Sequence, residues 1–310
     1  MTSRGRGTLA LILLAASFAL MTVLARYLNT SFTIAQQVYL RGAAALLVAG
    51  LVFNSRIRWR VVARVRPREW GVIAIRALLL YPIGTELFSK AATLTLIGDV
   101  SFIAALPLVS ILALALRQTP LTRRRIGSVA GCVVGVAAVS LHDPGRGIHL
   151  PVWDRGDLLA LLGLLGIAVS YLGRSQHDGA LNNAEITVLL LGAGVLWVAL
   201  GSFVSGQGMP HLAHAPVWGA VMLAGVLNAL NVFLINYGFE QVEPVRAGNL
   251  LTLEAVWGLA FGLAFYRQWP TVLELLGGAA IVGCALILNS ARDQASIPDA
   301  PSPQPPSRKR

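Results

Sequence analysis

Two ionisable residues, Arg41 and Glu254, lie deep inside long apolar runs. A charge near the centre of a bilayer costs on the order of 2.5 to 3.5 kcal/mol on insertion scales, so each is expected to face a cavity or a partner of opposite charge. Gln37 lies one helical turn before Arg41 on the same face, and together they offer donors suited to a carboxylate or phosphate. The alternative for Arg41 is a structural salt bridge between helices.

Glu254 has two alternative roles, which depend on what faces it. An unpaired carboxylate inside a membrane is costly to keep ionised, and this makes it a candidate proton carrier. If Glu254 meets Arg41 or Arg76 instead, it forms a structural ion pair. Trp257 follows Glu254 by three residues and shares its helical face, which predicts an aromatic wall beside the acid.

Amide and phenol side chains in other apolar runs extend the candidate site. Asn228 and Asn231 are three residues apart, and amides of this kind either bond between helices or contact a ligand. Asn236 is rotated away from that pair and is interpreted as structural. Tyr81 precedes Pro82, a proline expected to kink its helix and free carbonyl groups. The predicted substrate-binding residues are Gln37, Tyr39, Arg41, Tyr81, Asn228, Asn231 and Trp257.

Three further charged residues in the third apolar run are interpreted as structural. Glu86 and Lys90 are four apart and share a helical face, which predicts a local ion pair near one membrane interface. Arg76 lies nearer the opposite interface and is predicted to extend its guanidinium towards the lipid headgroups.

The histidines and cysteines predict neither a metal site nor a bound cofactor. Cys132 and Cys284 lie inside apolar runs without metal-ligand spacing and are interpreted as packing residues. Four histidines lie in polar connectors, where water accommodates them without a metal: His142, His149, His211 and His214. Neither HExxH nor GxSxG occurs in the chain, which argues against an intramembrane enzyme.

The composition is that of a polytopic membrane protein. Hydrophobic residues make up 55% of the 310 residues, charged residues 13%, and the mean hydropathy is +0.68. A soluble domain needs far less apolar surface to fill its core. The 25 basic residues outnumber the 14 acidic ones, but they gather in short connectors without a nucleic-acid-binding motif. The predicted partner is therefore the lipid bilayer and not nucleic acid.

The apolar runs predict an all-α protein with ten transmembrane helices. A helix needs about 20 mostly apolar residues to cross the hydrocarbon core. The predicted spans are residues 7–28, 31–54, 70–93, 98–117, 123–141, 156–176, 184–205, 216–239, 246–266 and 272–290. If the N-terminus is cytoplasmic, 18 basic residues fall on the inner side and four on the outer side. This bias predicts a plasma-membrane or inner-membrane protein with both termini in the cytoplasm.

A repeated tetrapeptide indicates that the chain is duplicated. Arg117-Gln118-Thr119-Pro120 returns 150 residues later as Arg267-Gln268-Trp269-Pro270, each between two apolar runs. The same offset relates Gly42 to Gly192, Gly98 to Gly248, Gly127 to Gly277 and Ala130 to Ala280. Five spans per half is an odd number, so the two repeats must be inserted in opposite directions. The predicted units are two five-helix repeats, 1–141 and 156–290, an external connector, 142–155, and a disordered cytoplasmic tail, 291–310.

Small residues form stripes in the fifth and tenth spans. Gly127, Gly131 and Gly135 recur every four residues, and Ala279 and Gly283 form a shorter stripe. Such stripes allow close backbone approach and predict that these two helices pack together. A homodimer interface is the alternative interpretation.

Three features of the chain resemble the EamA-type branch of the drug/metabolite transporter superfamily. They are the arginine inside Gln36-Gln37-Val38-Tyr39-Leu40-Arg41-Gly42, the stretch from Ala91 through Gly98-Asp99 into a proline-bearing helix, and the glycine-rich fifth and tenth helices. The resemblance covers about residues 8–290. The chain departs from the family pattern at Gln118 and Gln268, where the family usually has glutamate, and at Ala255, where it usually has proline.

The resemblance implies a basket-like bundle of two five-helix repeats that carries small metabolites, usually outward. The predicted function is therefore a secondary transporter that exports amino acids or related amphiphilic compounds by alternating access, with proton exchange at Glu254 as one source of energy. The alternatives are an intramembrane enzyme and a membrane scaffold or receptor that transports nothing.

Overall fold

The computed structural model is a bundle of long apolar helices. The described residues are 3–28, 31–91, 94, 103–140, 142–143, 147–148, 155–207, 210, 215–267 and 269–289. Within them, five helices are long and apolar enough to cross a membrane: Ile34–Arg56, Pro67–Ala91, Arg155–Gln176, Asn183–Val204 and Ala215–Gln241. Shorter apolar helices cover Gly5–Met21 and Val272–Leu288. The chain is a multi-pass helical membrane protein.

The first half contains seven α-helices in the described residues. These are α1 (Ser3–Leu28), α2 (Ile34–Phe53), α3 (Trp59–Val62), α4 (Pro67–Leu78), α5 (Leu87–Ala91), α6 (Leu108–Ala115) and α7 (Arg123–Ser140). A 3₁₀ turn, Asn54–Arg56, follows α2, and a π-helical segment, Leu79–Glu86, joins α4 directly to α5. Two short antiparallel strands, β1 (His142–Asp143) and β2 (Gly147–Ile148), follow α7.

The second half contains six α-helices in the described residues. These are α8 (Arg155–Leu172), α9 (Asn183–Val204), α10 (Ala215–Gln241), α11 (Pro244–Leu251), α12 (Leu253–Tyr266) and α13 (Val272–Asn289), with a 3₁₀ turn, Gly173–Gln176, after α8. The prediction of one continuous helix over 246–266 is wrong, because the chain breaks at Thr252. There the Thr252 hydroxyl donates to the Asn249 carbonyl (2.7 Å), a local bond that competes with the helical ladder.

Some predicted features fall outside the described residues. They are the tail predicted to be disordered, 291–310, the first residues of the predicted fourth span, 98–102, and the residues His149, His211, His214 and Gln268.

Helices α2 and α9 begin with the same kind of cap. The Thr33 hydroxyl accepts from the N–H of Gln36 (3.3 Å), and the Gln36 side chain accepts from the N–H of Thr33 (3.1 Å). Asn182 and Glu185 exchange the equivalent bonds at 2.9 and 2.7 Å. Each box satisfies two otherwise unpaired donors and fixes where its helix starts. Arg41 is thereby held about two turns, ~10 Å, along α2.

Pro82 does not simply kink the third span, as the sequence suggested, but lies within the π-helical segment. Proline lacks an N–H and its ring crowds the preceding turn, and a wider helix relieves both problems. The widened turn lets the Thr85 hydroxyl donate to the carbonyl of Leu80, five residues earlier, at 2.9 Å.

Helix α8 packs closely against the π-helical segment through glycines. A Cβ atom at Gly163 would lie 2.9 Å from the Gly84 carbonyl oxygen, and one at Gly166 would lie 2.9 Å from the Leu79 carbonyl oxygen. These contacts leave no room for side chains, so the two backbones touch directly. Their contact fixes the position of Tyr81, which lies between Leu79 and Gly84.

The helices pair between the two halves of the chain. The main pairs are α1 with α10, α2 with both α9 and α10, α4 with α9, the π-helical segment and α5 with α8, α6 with α11, and α7 with α13. In the last pair, a Cβ atom at Gly131 would lie 2.5 Å from Cys284 Sγ, and one at Gly135 would lie 2.8 Å from the Gly277 carbonyl oxygen. The glycine stripe therefore packs α7 on α13, although Gly127 has open space beside it.

Candidate functional site

Polar side chains from five parts of the bundle gather in its interior. Arg41 lies on α2, Tyr81 on the π-helical segment, Tyr171 on α8, Asn228 on α10 and Glu254 on α12. Arg41 is 7% exposed and both tyrosines are 4% exposed, whereas Asn228 and Glu254 are half-buried. Two of the five residues come from the first half of the chain and three from the second, so the cluster lies between the halves. We call these five residues the central cluster.

The Arg41 guanidinium has few partners. Its Nε atom donates to the Gln37 carbonyl, one turn earlier, at 3.3 Å, and Tyr81 is close enough to interact with it electrostatically. Among the described residues, no carboxylate forms an ion pair with Arg41. The alternative of a salt bridge between helices thus finds no partner in the described part of the chain.

Tyr81 has its ring fixed and its hydroxyl available. The ring packs directly on Gly194 of α9, where a Cβ atom would overlap it. The hydroxyl is buried beside Asn228 and Arg41, yet it makes no well-formed hydrogen bond to any described residue. A buried hydroxyl without a partner is costly, so this position suits a ligand that supplies the missing bond.

Tyr171 connects the arginine side of the central cluster to the acid. It is close enough to interact electrostatically with Tyr81 and with Glu254, and its ring centroid lies 5.4 Å from that of Phe239. Within the described residues, Glu254 forms no ion pair with Arg41 or with Arg76. In the central cluster, Tyr81 is thus a neighbour of Arg41, and Tyr171 is a neighbour of both Tyr81 and Glu254.

The remaining predicted residues have varied surroundings. Asn231 is 3% exposed and its Oδ1 atom has no hydrogen-bond partner among the described residues. Tyr39 packs against the apolar core, and Trp257 stacks on Phe261 with ring centroids 5.8 Å apart. Glu86 interacts electrostatically with Lys90.

The prediction that Arg76 extends towards the headgroups is wrong. Arg76 is 2% exposed, and its Nε atom donates to the Ser170 carbonyl at 2.9 Å. Its Nη2 atom donates to Asn236 Oδ1 (2.9 Å) and its Nη1 atom to His177 Nε2 (2.8 Å). Three partners from α8, α10 and the connector between α8 and α9 replace water around the guanidinium. Asn236 therefore has the structural role predicted for it.

His177 forms hydrogen bonds with both Arg76 and the buried acid Glu69. Because arginine can only donate, His177 Nε2 must accept, which places the ring proton on Nδ1. Nδ1 then donates to Glu69 Oε2 at 2.7 Å, and the Asp178 N–H donates to Glu69 Oε1 at 2.6 Å. The side chains of His177 and Glu69 are 1% and 2% exposed. Burial, together with the nearby Arg76 and Arg174 cations, lowers the pKa of His177 below its usual 6.5 despite the hydrogen bond to Glu69.

The lowered pKa makes stability depend on pH. The unfolded chain protonates His177 below about pH 6.5, whereas the folded chain keeps it neutral to a lower pH. The contribution of neutral His177 to the free energy of unfolding is therefore fully present above pH 6.5. It is lost as the pH falls through the lower pKa of the folded state. We expect His177→Gln, whose amide can make both hydrogen bonds but does not titrate, to flatten the loss of thermal stability below pH 6.5 in detergent. Parallel curves for the two proteins would contradict this assignment.

Further ion pairs lie at the same end of the bundle. This end carries the arginine-rich connectors, and we call it the basic end. Arg58 binds both carboxylate oxygens of buried Glu185, through Nε at 2.9 Å and Nη2 at 2.8 Å. Arg125 lies 2.7 Å from Glu243. In both pairs the arginine comes from the first half of the chain and the glutamate from the second, so the pairs join the halves.

Sequence reasoning missed two polar groups in the interior. One is the Glu69–His177 contact, which joins residues more than a hundred positions apart and leaves no local pattern. The other is Asn249, which accepts from the Ser110 hydroxyl (2.9 Å) and donates to the Ser128 hydroxyl (3.1 Å), joining α11 to α6 and α7. Asn249 lies in an apolar run just as Asn228 does, so the same signal would have found it.

Comparison with known proteins bears on the second half of the chain and on the overall fold. Residues 154–290 match the model of the EamA-like transporter family. A protein of known crystal structure superposes with a TM-score of 0.77 over 95% of this chain and 99% of that chain, at 17% sequence identity. At that identity the likeness concerns the fold alone. No curated protein matches the sequence.

Proposed function

We propose that the protein is a secondary transporter that exports small organic metabolites. The match of residues 154–290 to the EamA-like transporter family, part of the drug/metabolite transporter superfamily, supports this proposal. Amino acids and related amphiphilic compounds fit the site best. The observation that carries this proposal is the central cluster, in which a buried arginine and a half-buried acid lie between the halves and form no ion pair with each other. The protein's partners are thus a small solute and the surrounding lipid.

Each residue of the central cluster has a proposed role. Arg41 binds the carboxylate of the solute, because an arginine offers paired donors to a planar anion. Tyr81 and Asn228 donate to its other polar atoms. Glu254, across Tyr171, faces the amino group or exchanges a proton with solvent. Gln37, Tyr39, Asn231 and Trp257 are proposed to complete the lining.

The proposed architecture is two inverted five-helix repeats, 1–141 and 156–290, joined by the connector 142–155. One support is the backbone at the repeated tetrapeptide: Arg117 and Arg267, 150 residues apart, adopt φ of 52° and 54°. Residues other than glycine seldom adopt a left-handed backbone, so two matched occurrences favour a common origin.

The pairing of helices is a second support for the repeats. When the halves are exchanged, α2 maps onto its partner α9, α6 onto α11 and α7 onto α13. The contact of α1 with α10 maps onto that of α8 with the π-helical segment. The observed pairs therefore follow a two-fold pattern, as an inverted-repeat transporter requires.

The basic end is proposed to face the cytoplasm of a plasma or inner membrane, with both termini inside. Arginines in its connectors fit the rule that short cytoplasmic loops are rich in basic residues. Its ion pairs between halves, Arg58–Glu185 and Arg125–Glu243, must separate when the central cluster opens to the cytoplasm. They are the proposed inner gate of the alternating-access cycle.

The proton role of Glu254 is tested with purified protein in liposomes. For exchange of one proton per solute, a gradient of one pH unit is worth about 1.4 kcal/mol and supports at most roughly tenfold solute accumulation in an acidic lumen. We expect the wild-type protein to accumulate solute in this way and Glu254→Gln to reach only equal concentrations on the two sides. Glu86→Gln, the same change at another acid within a span, serves as the matched control and is expected to behave as wild type. If the Glu254→Gln variant accumulates solute as the wild-type protein does, Glu254 does not couple transport to protons.

A further inference from the structure

A cavity of about 290 Å³ opens on the basic end, away from the central cluster. It lies between the connector that precedes α4 and the connector that precedes α9. Its lining consists of Arg60, Val61, Arg64, Val65 and Arg66 from the first half and Asp178 and Ala180 from the second. We call it the arginine groove.

The short helix α3 determines which residues face the groove. Ile57 and Val62 are 8% and 7% exposed and anchor α3 in the apolar core. The opposite side of α3 therefore faces outward and carries Arg60 into the groove. Trp59 is 57% exposed and Trp70 43% exposed, and tryptophan side chains typically lie at the headgroup level of a bilayer.

The groove has an excess of positive charge. Three arginines face one acid, Asp178, which lies 3.8 Å from the exposed Arg66 and accepts from the Ala180 N–H at 3.0 Å. Within the described residues, Arg60 and Arg64 form no ion pair. The groove thus has two cations suited to an anion.

The position of the groove indicates where that anion comes from. It lies between the end of α2 and the start of α4, where two candidate spans leave the membrane. Val61 and Val65 supply an apolar floor that a small soluble anion does not need. Phosphates of anionic lipids lie at this depth and attract juxtamembrane arginines.

We propose that the arginine groove binds the headgroup of an anionic phospholipid. The phosphate lies between Arg60 and Arg64, and the glycerol and upper acyl chain lie along Val61, Val65 and Trp59. The groove adjoins the proposed inner gate, because Arg58 also donates to the carbonyl of Ala180, a residue that lines it. A bound lipid therefore spans connectors of both halves. The proposal does not depend on what the protein transports.

The test measures lipid retention by the full-length protein. The protein is reconstituted in nanodiscs of phosphatidylcholine with 20% phosphatidylglycerol, extracted in mild detergent, and examined by native mass spectrometry. We expect the wild type to retain phosphatidylglycerol. The double variant Arg60→Gln, Arg64→Gln is expected to retain it roughly 30-fold less, which is about fivefold for each arginine. The double variant Arg68→Gln, Arg123→Gln removes two exposed arginines outside the groove and is the matched control, expected to retain lipid as wild type does.

Three outcomes would overturn the proposal. Equal losses in the groove and control variants would mean that only net charge attracts lipid. Undiminished retention by the groove variant would place the lipid elsewhere. Displacement of the lipid by soluble glycerol phosphate at matched phosphate concentration would identify a soluble anion as the ligand. Thermal unfolding of all three proteins in phosphatidylcholine alone establishes that the groove variant is folded.

Discussion

Replacing Arg41 by alanine is expected to lower solute transport by a factor of about 30 or more while the amount of protein in the membrane stays the same. A buried charged pair that loses one partner typically costs about 2 to 5 kcal/mol, and each 1.4 kcal/mol is a factor of ten. Arg41 forms no ion pair among the described residues, so its removal leaves no protein carboxylate unpaired there. The loss should therefore fall on solute binding and not on folding.

Two further variants separate this role from a structural one. Arg41→Lys keeps the charge but loses the paired donors, so it should retain weak transport with a raised apparent KM. Arg56→Ala, an exposed arginine at the basic end of the same span, should transport normally. If Arg41→Ala transports at the wild-type rate, the solute carboxylate does not bind there.

Replacing Glu69 by alanine is expected to destabilise the protein by about 2 to 6 kcal/mol, because two buried donors lose their acceptor and each unsatisfied group costs about 1 to 3 kcal/mol. The substitution removes the carboxylate that accepts from both His177 Nδ1 and the Asp178 N–H. In detergent, the unfolding temperature should fall by roughly 10 °C.

Glu240→Ala provides the comparison for this prediction. Glu240 pairs with Arg174 at 3.1 Å but its side chain is 43% exposed, so its loss should cost under about 1 kcal/mol. Equal losses of stability in the two variants would mean that the buried hydrogen bonds of Glu69 contribute no more than an exposed ion pair.

The sequence predicted the features that have a local cause. Arg41 and Glu254 each lie in a long apolar run, and a charge that faces lipid is costly. Their positions alone therefore predicted that both lie in the interior of the bundle. The glycine stripe predicted the contact of α7 with α13 for an equally local reason, the absence of side chains.

Features that depend on distant partners could not be predicted in this way. Arg76 also lies in an apolar run, but its acceptors come from residues about 90 to 160 positions further along the chain. The sequence of its own helix shows none of these acceptors, so it led to the prediction that the Arg76 guanidinium extends towards the lipid headgroups. The π-helical segment is similar: Pro82 signals a disturbed helix, but the form it takes depends on the close approach of Gly163 and Gly166 from α8.

The most direct test of the account is solute counterflow in liposomes that contain the purified protein. A panel of unlabelled amino acids and related zwitterions is loaded inside, and uptake of the same labelled compound from outside is measured without any ion gradient. The account predicts transient accumulation of at least one compound by the wild-type protein, no accumulation by Arg41→Ala, and normal accumulation by Arg56→Ala. Absence of counterflow for every compound by folded wild-type protein, or equal counterflow by Arg41→Ala, would contradict a transport site at the central cluster.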